Sequence, residues 1–286
     1  MGSRALKQDI KRISIVTVCR NAEQAIAETM QSVLHQTAVL SGRVELDYQV
    51  RDGASTDRTV ETARSLQTPA VDIVSEPDAG LYDGLARALP RCRGDVVAYL
   101  NAGDYYHPRA FDVVLDVMET HPVDWLTGMT VLYNERSQVI GCSQPYRYRR
   151  RLIRRGLYGP LLPFIQQEAT FWRRSLHRWV DFDRLASLRH AGDAFLWFSF
   201  ADAHELAIVQ SYLGGFKYQR GQISEDKPAY FDEMRRFSET PSVWDRTLAR
   251  IDKRRWYRAS KRRRFDAGHY AVFDLAAQRW SMTPRR

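Results

Sequence analysis

Four aspartates stand where apolar segments of the chain end or are interrupted: Asp52, Asp83, Asp104 and Asp193. Each of them alone is explained by a turn or a helix cap, because aspartate is common in both. Acids that gather at one edge of a sheet repel each other unless a cation or a donor group binds them. A divalent metal that bridges carboxylates and a diphosphate would relieve that repulsion. Taken together, the four aspartates favour a functional site.

Two common nucleotide-binding signatures are missing from the sequence. No G-x-G-x-x-G follows the first predicted strand, and the chain contains no G-x-x-x-x-G-K-[ST]. Dinucleotide-dependent oxidoreductases and P-loop enzymes are therefore poor candidates. The three cysteines, Cys19, Cys92 and Cys142, are far apart and odd in number. Their pattern argues against a disulfide framework and a zinc site, and it favours a reducing compartment.

The elements that must position the aspartates alternate between strands and helices. Short β-branched or apolar runs predict strands at 13–18, 44–50, 71–74 and 95–100. Capping residues and amphipathic spacing predict helices at 21–36, 80–89 and 108–120, the first of them capped by Asn21. Such alternation gives a parallel sheet covered by helices, with ligands beyond the carboxyl ends of the strands. The polar loops fall at that edge: 19–23, 52–57, 76–83 and 101–107.

The alternation fails after residue 120. The next strands are predicted at 125–132 and 138–142, and a second αβ stretch follows at 164–220. From residue 225 onward the chain is polar and helix-prone, with no clear strand. We therefore predict a domain at 11–224, made of two halves at 11–120 and 121–224. The remainder, 225–286, is predicted to be a basic, helical C-terminal extension.

The chain is basic, with a formal net charge of +9 over 286 residues, so an acidic partner is expected. Six arginines and no acid occupy 146–155. Such a segment suits a diphosphate ligand if the loop closes over that ligand. A disordered charged loop is the competing interpretation.

A second basic segment, 246–264, contains ten basic residues and one acid, with aromatic residues interleaved. The stretch 244–265 is therefore a candidate for binding an anionic membrane surface. A solvated helix packed on the domain is the alternative. Nucleic acid is not expected as a partner, because no recognisable binding module is present.

The compartment is predicted from two absences in the sequence. Residues 1–12 are too poor in apolar side chains to resemble a signal peptide, and no apolar run approaches the ~20 residues that a membrane-spanning helix needs. We expect a cytoplasmic protein, and we expect its basic tail to attach it to the inner face of the cell membrane.

An ordered set of motifs resembles the family-2 glycosyltransferases with the GT-A fold. The motifs are I-V-T-V-C-R-N at 15–21, D-G-A-S-T-D-R-T at 52–59, E-P-D-A-G-L-Y-D-G-L at 76–85, L-N-A-G-D at 100–104, Q-E-A-T-F-W-R-R at 167–174 and A-G-D-A-F-L-W at 191–197. Each motif alone is weak, but their order is that of the family. The resemblance implies an α/β, Rossmann-like nucleotide-sugar-binding domain with a mixed central sheet, in which 11–120 is the nucleotide-binding half and 121–224 the acceptor half. It also implies a nucleotide-sugar donor, with a UDP-sugar favoured, and a saccharide or lipid-linked saccharide acceptor, in the synthesis of a surface polysaccharide.

The resemblance also assigns roles to individual residues. Asp193 matches the catalytic base, and Asp104 matches the last acid of the family's Asp-x-Asp motif, which binds Mn²⁺ or Mg²⁺. The residues expected at the nucleotide, the diphosphate or the donor sugar are Thr17, Arg20, Asp52, Asp83 and Asn101. The residues considered for the acceptor, a mobile loop or a phosphate are Glu168, Trp197 and His190. For Glu168 a salt bridge to Arg173 or Arg174 is an equal alternative, and for Trp197 a place in the core is the more common one.

The chemistry of sugar transfer fits these roles. A sugar hydroxyl is a poor nucleophile, so a carboxylate must take its proton during attack, and one base is enough for an inverting displacement. Two departures from the family pattern stand out: Asn101 replaces the first acid of the metal motif, and Arg51 replaces an acid beside Asp52. A protein that kept the fold and binds sugar nucleotides or polyanions without turnover is therefore the second hypothesis.

Overall fold

The early strands form where the β-branched and apolar runs predict them. The computed structural model describes residues 9–218, 222, 225–258 and 270–283. Its strands are β1 (Arg12–Cys19), β2 (Glu45–Asp52), β3 (Val71–Ser75), β4 (Val96–Tyr99), β5 (Tyr105–Tyr106), β6 (Trp125–Thr127), β7 (Thr130–Tyr133), β8 (Val139–Ser143), β9 (Thr170–Arg173), β10 (Leu206–Val209), β11 (Gly214–Lys217), β12 (Tyr270–Asp274) and β13 (Arg279–Met282). Its α-helices are α1 (Ile26–Leu34), α2 (Thr37–Leu40), α3 (Thr59–Ser65), α4 (Leu81–Ala88), α5 (Ala110–Thr120), α6 (Arg150–Arg154), α7 (Phe182–Ser187), α8 (Gly192–Phe200), α9 (Lys227–Arg235) and α10 (Val243–Arg258).

A mixed sheet forms the centre of the part of the chain that the structure describes. Its strand order is β13-β12-β10-β6-β9-β4-β1-β2-β3. The strands β3, β2, β1 and β4 are parallel neighbours, and β9 lies antiparallel between β4 and β6. The strands β6, β10 and β12 then continue in the direction of β4. The carboxyl ends of β1, β2 and β4 therefore meet at one edge, where the polar loops lie.

A second, four-stranded sheet has the order β5-β11-β7-β8. It pairs β5, which follows Asp104 directly, with β11 in antiparallel register. Residues more than a hundred positions apart in sequence thereby become neighbours, because Lys217 at the end of β11 reaches Asp104. This small sheet brings the second half of the chain to the acids of the first half.

The start of the first helix differs from the prediction. Asn21 does not cap it, because α1 begins at Ile26 and Asn21 has a φ of 49°. A helix N-cap needs an extended backbone, which a left-handed residue does not provide. Instead, the Asn21 side-chain oxygen accepts a hydrogen bond from the Thr56 N–H at 3.0 Å, so this residue ties two loops of the site together.

The C-terminal extension contains strands that the sequence pattern did not predict. Its helices α9 and α10 are present, but β12 pairs with β10 in the large sheet and β13 pairs with β12. These strands are only five and four residues long. Strands this short contain too few residues to show a clear alternation of apolar and polar side chains. Their stability comes from pairing with a neighbouring strand. The extension is therefore continuous with the central sheet.

The basic segment at 147–155 contains the short helix α6 and is held by ion pairs, which corrects both the open-loop and the disordered interpretation. Arg149 donates to the fully buried Asp252, with Nε 2.5 Å from its Oδ2 and Nη2 3.1 Å from its Oδ1. The other ion pairs of this segment are Arg151–Asp245, Arg154–Asp202, Arg154–Glu239, Arg155–Glu239 and Arg155–Asp245. Four of the six arginines therefore bind acids of this chain and are not free for a diphosphate.

The described ranges contain no candidate membrane span. No helix in them is both long enough and apolar enough to cross a bilayer.

Candidate active site

Asp193 lies in the first turn of α8, between the hydroxyl groups of two tyrosines. The Tyr230 hydroxyl donates to its Oδ1 at 3.0 Å, and the nearby Tyr82 hydroxyl, which donates to the His190 carbonyl, favours the charged form of the acid. Gly192 makes room for Tyr82, because a Cβ at that position would stand 2.3 Å from the ring. Burial raises the pKa of Asp193 to about 6, although the Ala194 N–H and the tyrosines favour the carboxylate. The group is thus a carboxylate at neutral pH and can accept a proton there.

Asp104 and Glu168 form a second acidic centre. Both are buried, at 4% and 2% exposure. Burial raises the pKa of Asp104 to about 7, although the Lys217 N–H, 2.9 Å from its Oδ1, favours the charged form. Burial raises the pKa of Glu168 well above its usual range, and the charges of Asp104 and Asp193 raise it further. Glu168 therefore interacts electrostatically with both Asp104 and Asp193.

The salt-bridge alternative for Glu168 is wrong. The guanidinium groups of both nearby arginines donate to backbone carbonyls instead, Arg173 to Met118 and Val123 and Arg174 to Gly94. Because the acid is buried without a basic partner of this kind, it keeps a proton readily.

Asn101 presents an amide oxygen with no partner. Its nitrogen donates to Gln167 at 3.1 Å, which joins the loop after β4 to the segment of Glu168. Its Oδ1 is buried and has no hydrogen bond within the described residues. A buried acceptor of this kind costs free energy unless a ligand, a metal or a water binds it. Asn101 is thus available for a ligand.

The Asp52 carboxylate is fully engaged by its own loop and by the ends of the neighbouring strands β1 and β3. Its Oδ2 accepts from the Ser55 N–H at 2.9 Å and from the Ser75 hydroxyl at 2.7 Å. Its Oδ1 accepts from the Ser55 hydroxyl and contacts the Cys19 thiol at 3.9 Å. A carboxylate has about four lone-pair sites, so a bond to a base would have to displace one of these partners. Its role in base binding stays a prediction.

Asp78 is the acid that the sequence analysis did not single out. It accepts from the Gly80 N–H at 2.9 Å, and a Cβ on Gly53 or Gly84 would stand 2.8 Å or 3.2 Å from its carboxylate. Burial raises its pKa, and the nearby charge of Arg20 lowers it. Two glycines packed against one acid, in motifs that were both quoted above, were the signal that could have identified it.

A cleft of about 280 Å³, open to solvent, lies at this end of the site. It is lined by Arg51, Asp52, Val74, Glu76, Asp78, Gly84, Arg87 and Arg91. The Arg51 guanidinium points along the sheet, where it bonds to Gln49 and to Asp72, each within 2.7 Å. The mixture of acids and exposed arginines at the carboxyl ends of β2 and β3 suits a ligand with both polar and anionic parts.

Two predicted donor contacts are restricted by the structure. Thr17 is fully buried and bonds to the Tyr48 hydroxyl at 2.9 Å, so its side chain cannot touch a nucleotide. Asp83 is bonded by Arg87, four residues further along α4, through Nε at 3.1 Å and Nη2 at 2.6 Å. Its charge is therefore neutralised within the helix. Arg20, by contrast, is exposed at the mouth of the site.

Trp197 belongs to the core, which corrects its assignment to the acceptor. Its ring stacks on Trp125 with centroids 5.8 Å apart, and only 3% of the residue is exposed. Phe200 and Trp172 pack on it edge-on or tilted, so no ring face remains for a sugar. It lines a cavity together with Ala194 and Tyr230, and it does not line the cleft at Asp52.

His190 contributes mainly through its backbone. Its carbonyl accepts from the Tyr82 hydroxyl at 3.2 Å, and its N–H donates to Glu233 at 2.7 Å. The ring Nδ1 is buried and has no hydrogen bond within the described ranges. The ligand role predicted for the imidazole remains a prediction.

Comparison with known proteins agrees with this arrangement. The sequence model of the family described as "Glycosyl transferase family 2" matches residues 14–179. The chondroitin synthase of Pasteurella multocida (strain Pm70) is 29% identical over 108 residues, and the hyaluronan synthase of Pasteurella multocida is 28% identical over 111. Each match covers 37% of this chain and only 11% of the synthase.

Solved structures share the fold at low sequence identity. Residues 1–349 of S. aureus TarS in complex with UDP-GlcNAc superpose with a TM-score of 0.61 at 15% identity, over 89% of this chain and 75% of that one. Glucosyl-3-phosphoglycerate synthase from Mycobacterium tuberculosis, in complex with Mn²⁺, UDP and phosphoglyceric acid, gives a TM-score of 0.53 at 17% identity, over 82% and 80%. The described fold is thus the predicted GT-A architecture. Since the family match spans more than half of the sequence, the chain belongs to glycosyltransferase family 2.

Proposed function

We propose that the protein transfers a sugar from a nucleotide-sugar, with a UDP-sugar as donor, to a saccharide acceptor. The observation that carries the proposal is Asp193, a partly buried carboxylate whose pKa is raised to about 6. It lies near the acid pair of Asp104 and Glu168 at one end of the sheet. The UDP-GlcNAc and UDP complexes of the structural neighbours support the choice of donor. The matched segments of the chondroitin and hyaluronan synthases support a role in polysaccharide assembly.

The proposed reaction is a single displacement that inverts the anomeric centre. Asp193 takes the proton of the acceptor hydroxyl while that oxygen forms a bond to the anomeric carbon and the bond to the nucleoside diphosphate breaks. A base of this kind works best when its pKa is close to the working pH, and a raised carboxylate pKa satisfies that condition. One carboxylate on the acceptor side is enough, whereas a retaining glycosidase needs two.

A divalent cation, Mn²⁺ or Mg²⁺, fits the acids present but is not enclosed by them. Asp104 has a second oxygen, Oδ2, and Asn101 a buried, unpartnered Oδ1. The described residues contain no group of three or more His, Cys, Asp or Glu side chains that could hold a metal. Mg²⁺ commonly binds one or two carboxylates together with substrate phosphates and waters, so the donor would complete the site. The ion would stabilise the charge that develops on the leaving diphosphate.

Donor binding is the first prediction to test. With a UDP-sugar at about 100 times its Kd, bound donor should stabilise the protein by ~2.7 kcal/mol, which raises Tm by several degrees. Most of that shift should require Mn²⁺ or Mg²⁺. In Asp104→Asn the metal-dependent part should be lost, whereas the exposed Asp183→Asn should retain it. The measurement is a thermal-shift panel of nucleotide sugars with and without Mn²⁺.

The panel also separates the two candidate functions. The second candidate, a protein that binds sugar nucleotides without turnover, is motivated by the reduced metal motif, in which Asn101 stands in place of an acid. A Tm shift together with UDP release supports the transferase, and a shift without UDP release across a wide acceptor panel supports the binding protein. No shift with any nucleotide sugar contradicts both.

We further propose that the exposed face of α10 binds an anionic membrane surface, close to a lipid-linked acceptor. Both acids of this helix, Asp245 and Asp252, face inward and pair with arginines. The outward side keeps four exposed apolar or aromatic residues, of which Trp244 is 79% exposed and Tyr257 67% exposed. The exposed basic residues of the helix are Arg246, Arg250, Lys253, Arg254 and Arg255. A helix that exposes both basic and aromatic or apolar residues is typical of helices that lie on a membrane.

Vesicle binding provides the second prediction. Each Lys or Arg near an anionic surface contributes about 1 kcal/mol, so Arg250→Ala combined with Arg254→Ala should weaken binding by about 2 kcal/mol, or roughly 30-fold. The measurement is co-sedimentation with phosphatidylglycerol-containing vesicles, with pure phosphatidylcholine vesicles and an Arg58→Ala variant as controls. Equal binding by the double variant would contradict the proposal. Salt-sensitive binding to nucleic acid that exceeds vesicle binding would contradict it as well.

A further inference from the structure

Helix α9 of the C-terminal extension contacts the proposed base directly. The Tyr230 hydroxyl is 3.0 Å from Asp193 Oδ1, although the two residues lie 37 positions apart. The ring of Tyr230 is held edge-on by Phe164 and Phe231, with centroids 5.5 Å and 5.8 Å away. A phenol fixed in this way donates along one direction, so it selects one orientation of the carboxylate.

The same helix also fixes the backbone that precedes α8. Glu233 accepts three consecutive N–H groups: Arg189 at 2.8 Å, His190 at 2.7 Å and Ala191 at 2.7 Å. It is only 7% exposed, and α8 has no side-chain cap of its own. Buried N–H groups at a helix start need acceptors, and here a distant carboxylate supplies them. Asp193 follows these three residues after a single glycine, so Glu233 sets the position from which its side chain extends.

We propose that Tyr230 and Glu233 are positioning residues for Asp193, which makes α9 part of the catalytic site. The proposal rests on the proposed function, in which Asp193 is the general base. Tyr230 acts on the carboxylate itself, and Glu233 acts on the backbone that carries it. A base misplaced by about 1 Å loses much of its rate contribution, so both contacts bear on turnover.

The proton affinity of Asp193 depends on groups from several elements. Burial raises its pKa, and the hydroxyl groups of Tyr230 and Tyr82 favour the carboxylate. The other titratable groups that interact with Asp193 are Glu168, beside the metal motif, and Tyr99, on β4. The charge of Glu233 raises the pKa values of Tyr82 and Tyr230. Of these groups, Tyr230 is the one whose hydroxyl can be removed without touching the donor side.

Tyr230→Phe tests the carboxylate contact, because phenylalanine keeps the ring packing. We expect kcat for UDP release to fall about tenfold and the KM for the UDP-sugar to stay the same, since a hydrogen bond to a charged group is lost on the acceptor side. The pKa of Asp193 should rise, so the acid limb of the kcat/KM profile should move to higher pH. The exposed Tyr218→Phe is the matched control and should leave both values unchanged.

Glu233→Gln tests the backbone contact. The glutamine amide nitrogen would face an N–H group in place of an oxygen, so the segment before α8 should shift. We expect a loss in kcat of about tenfold or more at unchanged KM. Asp232→Asn, on the exposed side of the same helix, is the matched control. Circular dichroism melting of each variant separates misplacement from unfolding.

A measurement without turnover separates this proposal from the proposed function. The Asp193 carboxyl can be titrated by ¹³C NMR, with Asp193→Asn providing the assignment. A rise of its pKa in Tyr230→Phe, together with the loss in kcat, supports the proposal. Unchanged kcat in both Tyr230→Phe and Glu233→Gln overturns it, whatever the titration gives. If Asp193→Asn itself stays fully active, the assignment of the base fails and the positioning role fails with it.

Discussion

Asp193→Asn is expected to lower kcat by about 10²–10⁴-fold, the range that a positioned general base contributes. Asparagine fills the same volume and can still accept from Tyr230, but it cannot take the proton of an acceptor hydroxyl. Donor binding should be nearly unchanged, because the carboxylates at Asp52, Asp78 and Asp104 remain. The measurement is UDP release from the UDP-sugar selected by the thermal-shift panel, with and without saccharide acceptors.

The pH dependence of the wild-type enzyme should carry the same signature. Since the pKa of Asp193 is raised to about 6, kcat/KM should fall as the pH decreases through that value. The remaining activity of Asp193→Asn should lack this limb. A variant with wild-type activity, or a profile with the same acid limb, would contradict the assignment.

Stability provides the internal control for this variant. An acid whose pKa is higher in the folded than in the unfolded state contributes stability below its unfolded pKa, and that contribution is lost as the pH rises through the folded pKa. At pH 7 the wild-type Asp193 is therefore a buried charge that lowers the free energy of unfolding. The uncharged asparagine removes this destabilisation. We expect the Tm of Asp193→Asn to equal or exceed that of the wild type. Asp183→Asn, an exposed acid in the first turn of α7, should change neither Tm nor kcat.

The fold could be predicted as far as the chain repeats a local pattern. The strands β1–β4 lie within two residues of their predicted bounds, because each is a short apolar run closed by a polar loop. The strands β12 and β13 could not be predicted, since their stability depends on β10, some 60 residues away in sequence. Local signals thus specified the first half of the domain, and tertiary pairing specified the end of the sheet.

The acids of the site could be predicted for a different reason. Their motifs occur in the family's order, which identified Asp104 and Asp193 without any knowledge of distance. The residues that position Asp193 could not be predicted in this way, because Tyr230 and Glu233 lie in a helix with no motif. Their contacts depend on how α9 packs against α8. A turn or a helix cap was the local alternative for Asp52 and Asp83, but the side chains that bond to them, Ser75 and Arg87, were not predicted.

The distribution of charge shows the same limit. Counting residues correctly identified two basic segments, but it could not indicate that arginines of the first pair with acids elsewhere in the chain, one of them in the second segment. Asp252 was the single acid among the ten basic residues of 246–264, and it is completely buried against Arg149. An acid that is isolated in a basic segment is a candidate for a buried pair, because such a charge needs a partner when it faces inward.

Loss of the Asp252 carboxylate is the stability change with the largest expected effect. Asp252→Asn should lower the free energy of unfolding by about 3–5 kcal/mol, because Arg149 would remain partly buried without its counter-charge. In Glu61→Gln the exposed pair with Arg58, at 66% and 74% side-chain exposure, is removed instead. An exposed pair contributes only about 0–1 kcal/mol. Urea denaturation followed by tryptophan fluorescence compares the two variants.

The double variant Arg149→Met and Asp252→Leu decides what this pair contributes. Replacing both charges with apolar side chains removes the desolvation penalty together with the attraction, so its stability should lie much closer to the wild type than that of Asp252→Asn. If the double variant is as unstable as the single one, packing and not the unpaired charge is responsible. If neither differs from Glu61→Gln, the pair does not hold α10 against α6. In that case the inward orientation of the acids, and with it the basic outer face proposed for the membrane, would need another cause.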